Sequence, residues 1–332
     1  MDFSMILLGL AGVLASAAPV IFATIGETFS ERAGVINLSI NGTILLTAMV
    51  GFAIIVKTGS LWLGFLAGML IGALVATLVA FSSITLKQSQ VAVGFILALM
   101  CRDLAYFLGN PFSGLSGERV PLLPIRFLQN IPVLGPLFFS QDLPTYLSFL
   151  FIVLAWIFIF RTRFGLILQG IGEKPAAAFV RGINVNRLRY IYTILGGALV
   201  GLAGPTYSLS IKAGWKGTLS GLDGIGWIAL SITIFGGWNP ARAAFGAYLF
   251  ALLQWLGLVL QPSLPDIPSQ VLQVAPFPLM ILTLLLVNIG NTEWVERVLA
   301  GFPEKTRKLI ARLLRALRAS PPSSLGIPFE QQ

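Results

Sequence analysis

The sequence predicts an all-α protein, a polytopic bundle of about nine membrane-spanning helices with its N-terminus outside and its C-terminus in the cytoplasm. Three observations predict it. Of 332 residues, 56% are hydrophobic and only 11% charged, far below the roughly 25% charged fraction of soluble domains. The mean hydropathy is +0.87. Apolar windows recur at about 20 residues, the length that a helix rising ~1.5 Å per residue needs to cross ~30 Å of hydrocarbon. Those windows must be helices, because lipid offers the backbone no hydrogen-bond partner and the runs are too long and too uniformly apolar for barrel strands.

The windows fall near residues 5–25, 35–56, 61–84, 90–109, 144–160, 190–210, 223–237, 243–260 and 270–289. The first resembles a signal peptide in its apolar run and in Ala15-Ser16-Ala17, yet lacks a basic start, so it reads as a retained span. The second carries Asn37, Ser39 and Asn41 into apolar surroundings. Spaced one turn apart, residues 37 and 41 are expected on one helix face, where two carboxamides either bond between helices or line a solute path. Gly64, Gly68 and Gly72 put small residues on one face of the third span for close packing. In the fourth, Arg102 and Asp103 are adjacent, and neighbours on a helix are expected to find separate partners. The connection 110–143, long and rich in Pro, Gly and Phe, is expected to lie on the external face with a short helix. Gly221-Leu222-Asp223-Gly224-Ile225-Gly226-Trp227 and Phe235-Gly236-Gly237-Trp238-Asn239-Pro240 flank the seventh span. Repeated glycine and an X-Pro step predict broken helices there, with Asp223 and Trp227 near a pathway.

Orientation follows the lysines and arginines. With the arginine-dense stretch Arg161–Arg189 assigned to the cytoplasm, alternation puts Arg32, Lys87, Arg242 and the run from Lys305 to Arg318 on the same side, against Lys57, Arg102, Arg119, Arg126, Lys212 and Lys216 on the other. The membrane domain then covers 1–290. Residues 291–332 form a basic tail, in which 304–318 is an amphipathic helix suited to an anionic bilayer surface or a partner subunit, and 320–332 a disordered end.

Composition also excludes chemistry. Histidine is absent and Cys101 is the single cysteine, which removes an internal disulfide, the commonest metal ligand and the default general base. No catalytic or metal residue is predicted. The net charge of +9 reflects cytoplasmic loops, because no basic patch is interleaved with aromatics as nucleic-acid binding requires.

One segment has a different character. Gly172-Glu173-Lys174-Pro175-Ala176-Ala177-Ala178-Phe179-Val180-Arg181-Gly182 reads as a very short helix, with Pro175 at its first turn, Glu173 near its positive end and Gly182 stopping it. Two turns between spans bury little. Such a helix is either an incidental loop element or something for a partner to grip.

Glu31 to Gly42, then Gly172 to Ala177 with Gly182-Ile183-Asn184-Val185, and Ile234 to Pro240 together resemble the permease family of ATP-binding-cassette (ABC) importers for branched-chain amino acids, simple sugars and nucleosides. The first stretch is most similar to the simple-sugar and nucleoside branch. The motifs stand in family order from residue 26 to 240, and the hydropathy pattern extends the likeness to about residue 290. The resemblance implies alternating access and an inner-membrane, multi-pass permease that is not itself an enzyme. It implies that Gly172, Glu173, Lys174, Pro175, Ala176, Ala177 and Gly182 form a coupling helix docking on a cytoplasmic ATPase. It further implies a second, non-identical permease subunit and an external substrate-binding protein. ATP and magnesium belong to the ATPase, since this chain has no Gly-x-x-x-x-Gly-Lys-Ser/Thr loop. Where the family usually has Gly and Glu, this chain has Ser39 and Asn41, replacing an acid near the path with a neutral amide. A nucleoside is the first expectation for the solute, then a ribose-like sugar, then a branched-chain amino acid. An ion-coupled secondary transporter and a membrane-embedded enzyme are the remaining readings, the latter without a histidine or a compact carboxylate cluster to support it.

Overall fold

The computed structural model describes residues 3–264 and 320–330, with a few single positions between 268 and 282. The described regular structure is helical: α1 (Phe3–Arg32), α2 (Ile40–Thr58), α3 (Leu61–Ala80), α4 (Gln90–Gly109), α5 (Leu134–Phe138), α6 (Leu143–Arg161), α7 (Arg163–Glu173), α8 (Pro175–Val180), α9 (Val185–Pro205), α10 (Ile225–Phe235) and α11 (Pro240–Leu260). Short polar side chains begin several of them by accepting N–H groups that the first turn leaves unbonded. Asp142 and Thr162 accept from Thr145 and Gly165 at 3.0 Å, Asn184 from Arg187 and Asn239 from Ala241 at the same distance.

Among the described residues, α1 to α4, α6, α9 and α11 are long and apolar enough to cross a membrane, α3 and α9 continuing through π-helical turns to Thr85 and Ile211. The predicted seventh span is different. At 11 residues, α10 extends only ~16 Å, about half of a bilayer's ~30 Å core. The predicted span 270–289, the domain boundary at 290 and the amphipathic helix at 304–318 lie outside the described residues.

α9 runs through the centre, against α1, α2 and α3. The close approach depends on glycine. A Cβ on Gly72 of α3 would stand 2.6 Å from the Gly201 Cα of α9, and one on Gly68 2.7 Å from the Gly201 carbonyl oxygen. Gly26 of α1 meets the Gly196 carbonyl of the same helix. Lipid supplies no hydrophobic drive between helices, so this backbone-to-backbone fit, with its dispersion contacts, holds the three together.

The connection 110–142 covers one end of the bundle. Arg119 Nε donates to the Ser210 carbonyl at 2.8 Å, Gln141 Nε2 donates to the Ala11 carbonyl at 3.1 Å, and Gly117 sits on the Phe52 ring. The other end, which carries α7, α8 and the Arg161–Arg189 stretch, is the basic end.

Residues 320–330, expected as a disordered end, instead form a strap across the basic end. Ser324 is buried; its Oγ donates to the Gly172 carbonyl at 2.5 Å and its N–H donates to the same oxygen at 2.9 Å. Ser323 Oγ donates to Glu173 Oε2 at 2.7 Å, Arg189 donates to the Ile327 carbonyl at 2.9 Å, and the Gly326 N–H reaches the Gly34 carbonyl at 3.1 Å. Phe329 meets Phe179 edge-on with ring centres 6.0 Å apart, and Lys87 pairs with Glu330 at 2.5 Å. The prolines and serines that suggested disorder leave the strap's backbone free to satisfy carbonyls that the helix ends and turns left unbonded.

Candidate functional site

The site is built from the reversal between α1 and α2. Glu27 and Glu31 lie one turn apart at the end of α1, both fully buried. The chain turns back through Gly34 at φ +92°, a left-handed conformation that glycine adopts without a Cβ penalty. Glu27 Oε1 then accepts the Asn37 N–H at 3.1 Å. Asn37 Oδ1 accepts Ser39 Oγ at 2.6 Å and the Ser39 N–H at 3.2 Å, an Asx turn that starts the next helix. Ser39 Oγ also lies 3.3 Å from Thr43 Oγ1. Both side chains are buried and occupied within the turn.

Because α2 begins only at Ile40, Asn37 precedes it and does not share a helix face with Asn41, contrary to the expectation from their spacing. Asn41 reaches elsewhere. Its Nδ2 donates to Asp223 Oδ1 at 2.7 Å, and its Oδ1 accepts the Gly224 and Gly226 N–H groups at 2.9 and 3.2 Å. One carboxamide thus both holds Asp223 and satisfies the opening turn of α10. A carboxylate at 41 could not donate to the Asp223 carboxylate, so an amide at this position has a direct geometric reason. Gly226 gives α10 room to approach, since a Cβ there would stand 2.5 Å from the Asn41 nitrogen.

This junction lies inside the membrane. Gly42, next to Asn41, abuts the Ala98 carbonyl, and Ala98 is near the middle of α4. The half-length α10 therefore starts at mid-bundle and runs to the basic end, where its last residues enter a corner fixed to α1. Trp238 Nε1 donates to Glu31 Oε2, and Arg32 Nε donates to the Trp238 carbonyl at 2.7 Å. Trp238 itself holds φ +53°, and Arg32 also covers the Phe160 ring at 5.1 Å. The first and third sequence motifs are thus in direct contact, a pairing that sequence spacing alone did not reveal.

Asp223 is exposed, and its Oδ2 accepts the Tyr106 hydroxyl at 3.3 Å. Trp227, one turn into α10, lies beside Phe95 with ring centres 6.2 Å apart. Sequence reading missed Tyr106 and Phe95, which differ from ordinary span aromatics only in lying four and seven residues to either side of Arg102. Arg102 and Asp103 form a mutual ion pair, Nε to Oδ1 at 3.0 Å, rather than finding separate partners. The long guanidinium arm bends around its helix to a carboxylate that has no closer cation.

At the basic end the predicted short helix is six residues, Pro175–Val180, preceded by α7. Glu173, Lys174, Ala176, Ala177 and Gly182 are exposed, and Val180 is 86% exposed. Pro175 opens α8; Gly182, at φ +82°, closes it with its N–H on the Phe179 carbonyl at 2.8 Å. Ala178 points inward, in a cluster with Ile159, Leu168, Ile171 and Val185. Gly172 is buried, pressed against the Arg32 carbonyl so closely that no side chain fits. Among the described residues no group of three or more His, Cys, Asp or Glu side chains could hold a metal ion.

Residues 9–288 match the family model of the branched-chain amino acid transport system / permease component. The chain belongs to this permease family. It is 36% identical to the nucleoside ABC transporter permease protein NupC of Lactococcus lactis subsp. cremoris (strain MG1363), over 83% of this chain and 90% of that one. It is 34% identical to the putative glucose ABC transporter permease protein TsgC13 of Haloferax volcanii, over 96% of this chain and 95% of that one. A third relative, the guanosine ABC transporter permease protein NupQ of Bacillus subtilis (strain 168), is 41% identical over 47% of this chain and half of its own length. No solved structure matches the chain at a significant level. This permease is thus a multi-pass membrane protein and a transport component rather than an enzyme.

Proposed function

We propose that this permease carries a nucleoside through the membrane as one of two homologous, non-identical permease subunits of an ABC importer, working with a cytoplasmic ATPase and an external substrate-binding protein. The observation that carries this reading is α8, a six-residue helix whose Ala176, Ala177 and Val180 are open at the basic end while Ala178 anchors it inside. The basic end is assigned to the cytoplasm by its arginines, and α8 with Glu173 and Lys174 docks on the ATPase. A simple sugar is the second reading for the solute, favoured by the likeness to a glucose permease over 96% of this chain.

The chain of contacts inward from α8 supports a mechanism of alternating access. A push on α7 and α8 reaches α1 where Gly172 presses the Arg32 carbonyl. Arg32 and Glu31 hold Trp238, and Trp238 ends the segment that begins at Asp223. Asp223 is tied to Asn41 in α2. In this reading Asp223 and Trp227 border the path, Asn41 holds them in place, and Asn37 and Ser39 shape the turn from which α2 starts.

The test is to replace Glu173 with Arg, or Ala177 with Trp, in the assembled importer. Both positions are exposed, but Glu173 also holds Ser323 of the strap, so Ala177→Trp is the variant whose membrane levels are expected to hold; in both, solute uptake per ATP hydrolysed is expected to fall at least tenfold. Normal coupling in both variants would refute the docking role.

A further inference from the structure

The outward surface of α4 carries two stripes of different character. Ile96, Met100, Leu104 and Phe107 repeat at helical spacing and are exposed, as a lipid-facing stripe should be. Phe95, Leu99, Arg102 and Tyr106, at i, i+4, i+7 and i+11, form the other, and Arg102 reaches across the boundary to Asp103, which stands between Met100 and Phe107 on the first. The Asp103 side chain is 66% exposed and that of Arg102 36%. Asp103 lies 13 residues into the helix, ~20 Å from its start, so its short side chain is well below the nearer end. An ionised Asp or Arg turned to hydrocarbon costs about 2.5–3.5 kcal/mol at mid-bilayer. Lipid is therefore the wrong neighbour for Arg102, and the side of α4 that carries Arg102 and Tyr106, where Asp223 also lies, suits water.

The stripe is continuous with the start of α10. Tyr106 bonds Asp223, Phe95 lies against Trp227, and Arg102 is within electrostatic reach of Asp223. Asn41 and Tyr106 engage one lone pair on each oxygen of Asp223, which leaves a carboxylate with further acceptor capacity facing outward. Below it are the paired aromatic rings.

We propose that Phe95, Arg102 and Tyr106 of α4, with Asp223 just before α10 and Trp227 within it, form the surface that holds the solute inside the membrane, and that it selects a solute joining a flat ring to vicinal hydroxyls, a nucleoside, over the free sugar and over a nucleoside without those hydroxyls. The proposal rests on the permease reading given above. Asp223 accepts hydrogen bonds from the vicinal ribose hydroxyls, and the base lies on the aromatic pair. Arg102 and Tyr106 position the Asp223 carboxylate and border the same surface.

The test compares solutes in the complete importer reconstituted with its own ATPase, second permease and binding protein, so that the binding protein's preference is common to every variant and cancels. Uridine and guanosine are each measured against their 2′,3′-dideoxy counterparts and against ribose. In Asp223→Ala the wild-type preference for the hydroxylated nucleoside is expected to shrink about tenfold, the equivalent of one charge-assisted hydrogen bond. In Phe95→Ala and Trp227→Ala the nucleoside-to-ribose ratio is expected to fall several-fold. Unchanged ratios in all three variants overturn the proposal, even if absolute uptake drops. If Asp223→Ala fails to reach the membrane, Tyr106→Phe removes one hydroxyl from the same surface: a smaller hydroxyl preference supports the proposal, and an unchanged one overturns it. A wild-type complex that moves neither nucleoside nor ribose in an ATP-dependent way fails the permease reading itself, and the site falls with it.

Discussion

Asn41 is itself buried and makes three hydrogen bonds to a neighbouring segment. Its side chain is matched on both sides: the amine to a carboxylate, the oxygen to two N–H groups. Asn41→Ala leaves the Gly224 and Gly226 N–H groups and Asp223 Oδ1 short of a partner, at a cost of about 1–3 kcal/mol. Asn41→Asp is expected to cost more than Asn41→Ala, because two carboxylates then face each other at hydrogen-bond distance with no donor between them. Thermal unfolding in detergent checks the order, with Asn41→Asp melting below Asn41→Ala and Asn41→Ala below wild type. The reverse order would mean that the Asn41–Asp223 bond does not hold this junction together.

At the scale of elements, the α1–α9–α3 contact relies on missing side chains. Gly72→Leu puts a branched side chain where even a Cβ would meet Gly201 backbone at 2.6 Å. Backbone cannot swing aside as a side chain can, so the expected penalty is at the upper end of the 1–3 kcal/mol typical of overpacking. Yield of folded protein from membranes reads it directly, and normal yield would mean that α3 is free to move away from α9. The half-length α10 has the opposite character. It is attached by specific polar contacts at each end, Asn41 at its start and Glu31 with Arg32 just beyond its finish, rather than by a long apolar face. Such an element can shift as a unit if either attachment moves.

For the whole molecule, those two attachments connect the basic end to mid-membrane. Trp238→Phe keeps an aromatic ring but removes the donor to Glu31 and part of a buried side chain, leaving a buried carboxyl oxygen without its partner beside a small cavity. The expected loss is about 1.5–3 kcal/mol, together with a fall in uptake while ATP hydrolysis persists. Uptake and hydrolysis falling in parallel would place the defect in assembly instead. Much of this architecture was legible in the sequence. Apolar windows of membrane length located the seven long helices because lipid enforces the length rule, and Pro175 with Gly182 bracketed α8 because backbone geometry allows little else. The half-helix was legible as a glycine-rich interruption at 221–226, though not as a helix stopping halfway. The partners of Asn41, Glu31 and Trp238 were not legible, because pairings across about 180 to 210 residues depend on tertiary approach rather than local spacing. The strap escaped for a related reason. Proline and serine announce the absence of regular structure, and they do not say whether an irregular segment has found carbonyls to bond.

The strap has a consequence for biosynthesis. Its serine at 324 completes a carbonyl 152 residues earlier in the chain, and its glycine at 326 completes Gly34. During translation the loops at this end emerge long before the residues that seal them, so they wait unsealed until the chain is released and residues 320–330 leave the ribosome. A released chain truncated after residue 319 should therefore be cut quickly by a membrane-bound protease, and one that retains residues 320–330 should persist. Equal lifetimes would mean that the early loops need no late partner.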